Sequence, residues 1–174
     1  MKKKFFLAIL ILIFLKSFSF SFEFGSSPDT KDIGTGGKED LSFMNIKTSN
    51  LRKGKDFLKK GVKYSKKNKF KKANKSFEKA LSYFVLAYKR SPESVEILNY
   101  LGLTYNFLED LMMSEIYYQE GLSLDPKHPI INQKLGELYF RTKRIDLARE
   151  RLNVLKSCNC DEFLKLKNVI ATSN

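Results

Sequence analysis

The second half of the chain repeats itself at an interval of 34 residues. Leu101-Gly102-x-x-Tyr105 returns as Leu135-Gly136-x-x-Tyr139, Ser114 returns as Ala148, and Pro92 returns as Pro126, each 34 positions on. A unit of this length is one helix–turn–helix that cannot bury its apolar side alone, so the period calls for stacked units sharing a continuous core. An earlier copy stands in Gly61-x-x-Tyr64 followed by Ala73-x-x-x-Phe77-x-x-Ala80, with Lys60 where the later copies have Leu. Gly61 and Gly102 are 41 residues apart, and the closing proline of this copy comes late, at Pro92. The extra residues predict a long second helix over 70–89, extended by roughly 10 Å.

Glycine and alanine at these places let two antiparallel helices approach closely, and the Tyr and Phe side chains fill the space between them. The spacing resembles the tetratricopeptide repeat (TPR), whose pattern is W-x-x-L-G-x-x-Y, then A-x-x-x-F, then P; Leu98 stands in the place of the Trp. The resemblance covers residues 51–171 and implies an all-α fold: a right-handed superhelix of three helix pairs, over 54–92, 95–126 and 129–160, closed by a capping helix over 161–171. Asp161 is the expected N-cap of that last helix, with Phe163, Leu166 and Ile170 on one side. The ending, cysteines followed by Asp161-Glu162-Phe163-x-x-Leu166, is similar to the tail of small exported bacterial TPR proteins.

Two other segments precede the repeats. Residues 1–21 read as a secretory signal peptide: Lys2, Lys3 and Lys4, then eleven apolar residues over 5–15, then Lys16 and the small residues Ser17, Ser19 and Ser21. Eleven residues span about 16 Å as a helix, short of a bilayer core. The expected location is therefore exported and periplasmic, the alternative being an inner-membrane anchor through an uncleaved signal. Residues 22–50 contain Gly25, Pro28, Gly34, Gly36 and Gly37 and read as a flexible linker.

TPR proteins are scaffolds that bind peptides or protein faces in a groove lined by the first helix of each pair. Carried over by spacing from each repeat glycine, the groove residues are Lys55, Leu58, Lys59, Val62, Ser65 and Lys66 in the first repeat. The second repeat supplies Glu96, Asn99, Tyr100, Leu103, Asn106 and Phe107, and the third Ile130, Gln133, Lys134, Glu137, Phe140 and Arg141. Such a mixture suits an extended peptide held by amide hydrogen bonds and anchored on Tyr100, Phe107 and Phe140, although these aromatics equally suit the seam between repeats. The carboxylate clamp of chaperone-binding TPR domains needs Lys and Asn where this chain has Leu58 and Val62, so that function is not implied.

Charge is divided unevenly. The chain carries 32 Lys+Arg against 19 Asp+Glu. Residues 51–75 hold twelve of the bases, Arg52, Lys53, Lys55, Lys59, Lys60, Lys63, Lys66, Lys67, Lys69, Lys71, Lys72 and Lys75, and one acid, Asp56. Residues 93–174 hold ten bases and twelve acids. A basic patch steers toward anionic partners, and an anionic envelope surface is the candidate; base-edge readout favours Arg, so nucleic acid fits this Lys-rich patch poorly. The plainer reading is a solvated face.

Little in the chain points to catalysis. Cys158-Asn159-Cys160 admits a local disulfide or a pair of thiols in a tight turn, thiol–disulfide exchange, or metal binding, the last short of ligands. His128, the one histidine, lies between Pro126 and Pro129 and reads as a loop residue. There is no P-loop, dinucleotide fingerprint or HExxH sequence, and no cofactor or enzymatic activity is expected. The reading is a non-catalytic scaffold of the bacterial cell envelope that binds a peptide or protein in its groove. The alternatives are a redox helper using Cys158 and Cys160, or an electrostatic tether using the Lys-rich first repeat.

Overall fold

The computed structural model describes the backbone of residues 39–172 and the side chains of residues 49–172. The expected signal peptide and most of the expected linker lie outside the described residues. Seven helices run through the described chain: α1 (Glu39–Ser65), α2 (Phe70–Tyr88), α3 (Val95–Phe107), α4 (Leu111–Leu124), α5 (Pro129–Arg141), α6 (Ile145–Leu155) and α7 (Asp161–Ala171). They pair in order as α1 with α2, α3 with α4 and α5 with α6, and α7 packs on the last pair. This is the all-α repeat architecture that the 34-residue period implies, and α2 is the long second helix that the extra residues predict.

The first helix begins earlier than the sequence suggests. Residues 39–50, expected in the linker, form the first turns of α1, which runs for 27 residues. Gly37 is the last helix breaker before Gly54. Glu39 is the first residue of the helix.

Two buried clusters form the core. Leu58, Phe77, Phe84, Ile97 and Leu101 join α1, α2 and α3; Tyr118, Ile131, Leu135, Leu138 and Ala148 join α4, α5 and α6. The repeat glycines set the interhelical spacing. A Cβ on Gly102 would lie 2.6 Å from the ring of Tyr118, sixteen residues on, and Gly61 meets the ring of Phe77 at the same offset.

The turns inside the three pairs share one geometry. Asn68, Glu109 and Lys143, each seven residues after a repeat glycine, take left-handed backbone at φ 55°, 62° and 61°. The next N–H, of Lys69, Asp110 and Arg144, donates to the carbonyl of the repeat tyrosine, Tyr64, Tyr105 and Tyr139, at 3.0, 3.0 and 2.8 Å. These are Schellman closures, in which a left-handed residue lets the chain satisfy the last helical carbonyls and reverse.

One cap differs from expectation, and another adds a role to a residue that lies in its expected turn. His128 is the N-cap of α5, its Nδ1 accepting from the Ile131 N–H at 3.3 Å. The imidazole thus replaces the usual hydroxyl or carboxylate ahead of Pro129. At α7 the N-cap is Cys160, and Asp161 is the first helical residue, where its charge faces the helix dipole. Leu166, fully buried, lies against Gly136 and closes the third repeat.

Candidate functional site

The face made by α1, α3 and α5 carries the predicted groove, and the structure divides its residues into two sets. Leu58, Asn99 and Gln133, each three residues before a repeat glycine, are buried rather than presented to a ligand. Residues three apart on a helix share a face, so the side that meets the second helix at the glycine continues one turn back. Gln133 Nε2 donates to Glu137 Oε1 at 2.6 Å, and the buried Asn99 Oδ1 has no hydrogen-bond partner. The small-residue face at Gly61, Gly102 and Gly136 was the signal that separates these three from the groove proper.

Two of the three predicted aromatic anchors, Tyr100 and Phe107, are committed to the seam between the first two repeats. Tyr100 stacks on Phe84 with ring centroids 5.1 Å apart, and Phe107 stacks on Phe77 at 4.7 Å. Tyr100 is partly buried, and Phe107 keeps 37% of its surface exposed. Lys59 is exposed, while Val62, Leu103, Asn106, Glu137 and Phe140 are half-buried and Arg141 is exposed.

Polar groups on this face bridge neighbouring repeats. Lys55 Nζ donates to Glu96 Oε1 at 2.5 Å and lies 5.0 Å from the Tyr100 ring centre. Glu96 beside it raises the Lys55 pKa above the usual ammonium value. Arg141 Nη2 donates to Asn106 Oδ1 at 2.7 Å and reaches Glu109 at 3.6 Å. Within α5 itself, Lys134 pairs with Glu137 at 3.0 Å. Asn106, Glu137, Phe140 and Arg141 also line a pocket of about 350 Å³. Val169, from α7, forms its far wall; this contribution is invisible in the repeat spacing, because α7 lies beyond the last repeat.

Of the other predicted sites, the basic residues share Lys55, Lys59 and Lys66 with this face, and the cysteine pair lies outside α1, α3 and α5. Cys158 and Cys160 are joined in a disulfide within the connection from α6 to α7, with Asn159 between them at φ 48°. The basic residues Arg52 to Lys75 spread over α1, the first turn and the start of α2. Lys53 lies over the Tyr83 ring and Lys60 over the Tyr64 ring, and among the described residues Lys55 is the one of these twelve with an ion-pair partner. No group of three or more metal-ligating side chains occurs among the described residues. No described helix is long and apolar enough to cross a membrane.

Comparison with known proteins matches this geometry. A tetratricopeptide-repeat family model matches residues 95–128, which hold α3 and α4. The anaphase-promoting complex subunit CDC16 of Saccharomyces cerevisiae is 33% identical over 113 residues, 63% of this chain, and the match spans 14% of that protein's length. The Arabidopsis OM64 TPR domain superposes with a TM-score of 0.51 at 13% identity, over 72% of this chain and 99% of that one. The first TPR of Spaghetti (RPAP3), bound to an HSP90 peptide, gives 0.50 at 17% identity, over 70% and 94%. A chain of the CopN-Scc3 complex gives 0.51 at 16% identity, over 95% and 96%. At these identities the structural matches establish the fold alone.

Proposed function

We propose that this chain, whose helix pairs share the tetratricopeptide-repeat fold and whose residues 95–128 match that family's model, is a non-catalytic adaptor holding a segment of another protein along the face of α1, α3 and α5. The observation that carries this reading is the pocket at the α3–α5 junction. Phe140 and Val169 offer apolar contact there, Glu137 and Arg141 offer charge, and Asn106 offers an amide, all within one cavity of about 350 Å³. An extended peptide needs this combination: an apolar foothold and side-chain groups that can bond its amides. The Asn106–Arg141 hydrogen bond is between half-exposed and exposed groups, so a ligand can replace it at little cost.

The adaptor works in the cell envelope on this reading. The basic and then apolar start over 1–21 and the disulfide Cys158–Cys160 support an oxidising, extracytoplasmic setting.

An affinity pull-down from envelope extract tests the proposal. The comparison is between wild type and Asn106→Ala/Arg141→Ala, a pair chosen because Tyr100 and Phe107 variants would disturb the seam to α2. A partner retained by wild type and lost by the folded double variant supports the groove. A partner retained equally by both would refute it.

A further inference from the structure

The turn from α1 to α2 gathers positive charge that no described acid pairs with. Between residues 59 and 75 there are nine lysines and no acid, and none of these lysines is in an ion pair among the described residues. At the tip, beside the left-handed Asn68, Phe70 is 62% exposed. Lysines flank it on both sides. Lys63, Lys66 and Lys67 edge one concavity with Val62 in it; Lys60, Lys72 and Lys75 edge a second with Tyr64 in it.

Local stability does not account for this composition. Lys69, Lys71 and Lys72 sit at the positive dipole end of α2, where cations are unfavourable. The corresponding start of α4 carries Asp110, whose carboxylate accepts from the Met113 N–H at 3.0 Å. An exposed aromatic at the apex of a hairpin likewise contributes nothing to the core.

We propose that this tip docks on an anionic lipid bilayer. Phe70 enters the boundary between headgroups and acyl chains, and the flanking lysines meet lipid phosphates. Charge complementarity selects an anionic partner. The apolar apex selects a bilayer over a nucleic acid, since a ring buried among acyl chains adds the hydrophobic term that amphipathic surface binders use. The lysines need only point-charge attraction to a plane of headgroups, worth about fivefold in partitioning for each one near the surface.

The test uses the full chain with vesicles of phosphatidylcholine alone or phosphatidylcholine mixed with phosphatidylserine. Every variant keeps residues 1–21, with the apolar run over 5–15 and its flanking lysines, so binding through that segment is common to all and cancels in the comparison between variants. Lys67/Lys69/Lys71→Gln should lower the anionic increment roughly a hundredfold, and Phe70→Ser about tenfold. Circular dichroism of each variant should match wild type, because all four side chains are exposed. The chain has no Trp, so Phe70→Trp is a single reporter whose emission should shift to the blue on anionic vesicles. Unchanged emission there, equal partitioning of the lysine variant, or loss of binding to millimolar inorganic phosphate would overturn the proposal. So would tighter binding to duplex DNA than to vesicles, with no emission change.

Discussion

At Gly102 a single hydrogen atom determines how close two helices come. Glycine within a helix is ordinarily worth about 1 kcal/mol less than alanine, so Gly→Ala at an open position stabilises. Here the added Cβ would lie 2.6 Å from the ring of Tyr118, and that ring is fully buried with its hydroxyl unpartnered. Fully buried, it cannot swing out into solvent, and burial also pushes the phenol well above its usual pKa. Overpacking of this kind costs about 1–3 kcal/mol, enough to reverse the propensity gain. Gly102→Ala should therefore lower the unfolding midpoint by several degrees. Tyr118→Leu in the same chain should recover part of the loss, because it removes the ring that the methyl strikes. Chemical denaturation of the two single variants and the double variant checks this, and additivity of the two losses would contradict the close approach.

Between elements, one bond whose strength depends on pH is a tyrosine contact across two repeats. Tyr88, the last residue of α2, donates its hydroxyl proton to Glu120 Oε1 on α4 at 2.6 Å, and its ring meets Tyr117 edge-on at 5.8 Å. The hydrogen bond to a carboxylate, aided by burial, raises the phenol to about 12. Since the folded value lies above the unfolded value near 10, the contribution is complete below pH 10 and is lost as the pH rises toward 12. Thermal unfolding followed across that range should fall more steeply for wild type than for Tyr88→Phe. Parallel curves would mean that the contact contributes nothing. This pairing shows where sequence reading stopped. The 34-residue spacing located the helices and the buried Ala73, Phe77 and Ala80, because those contacts recur at fixed offsets within one unit. Contacts between units, such as Tyr88 with Glu120 or Phe107 with Phe77, depend on how one pair is rotated against the next, and no spacing records that. Likewise the early start of α1 was hidden, because the glycines over 34–37 masked a following stretch that contains no breaker.

For the molecule as a whole, stability in a stacked array is close to a sum of unit and interface terms, and the end units are the weakest. The described stack is closed on one side by α7, whose Leu166 is fully buried against Gly136. Truncating that side chain removes buried contacts to the third pair and leaves a cavity, a change worth about 2–5 kcal/mol for a buried leucine. The loss should remain local, because the first core cluster, around Leu58, Phe77 and Phe84, belongs to α1, α2 and α3 and has no residue in α7. In Leu166→Ala, amide hydrogen exchange should quicken in α5, α6 and α7, while α2 and α3 keep their wild-type protection. The same variant should weaken any partner held in the pocket that Val169 walls, since the capping helix is part of that wall. Binding of the full chain to anionic vesicles should be unchanged, because the lysines and Phe70 lie at the opposite end of the stack. Uniform acceleration of exchange across all seven helices would instead make the described residues one cooperative unit, in which the groove and the basic tip could not vary independently.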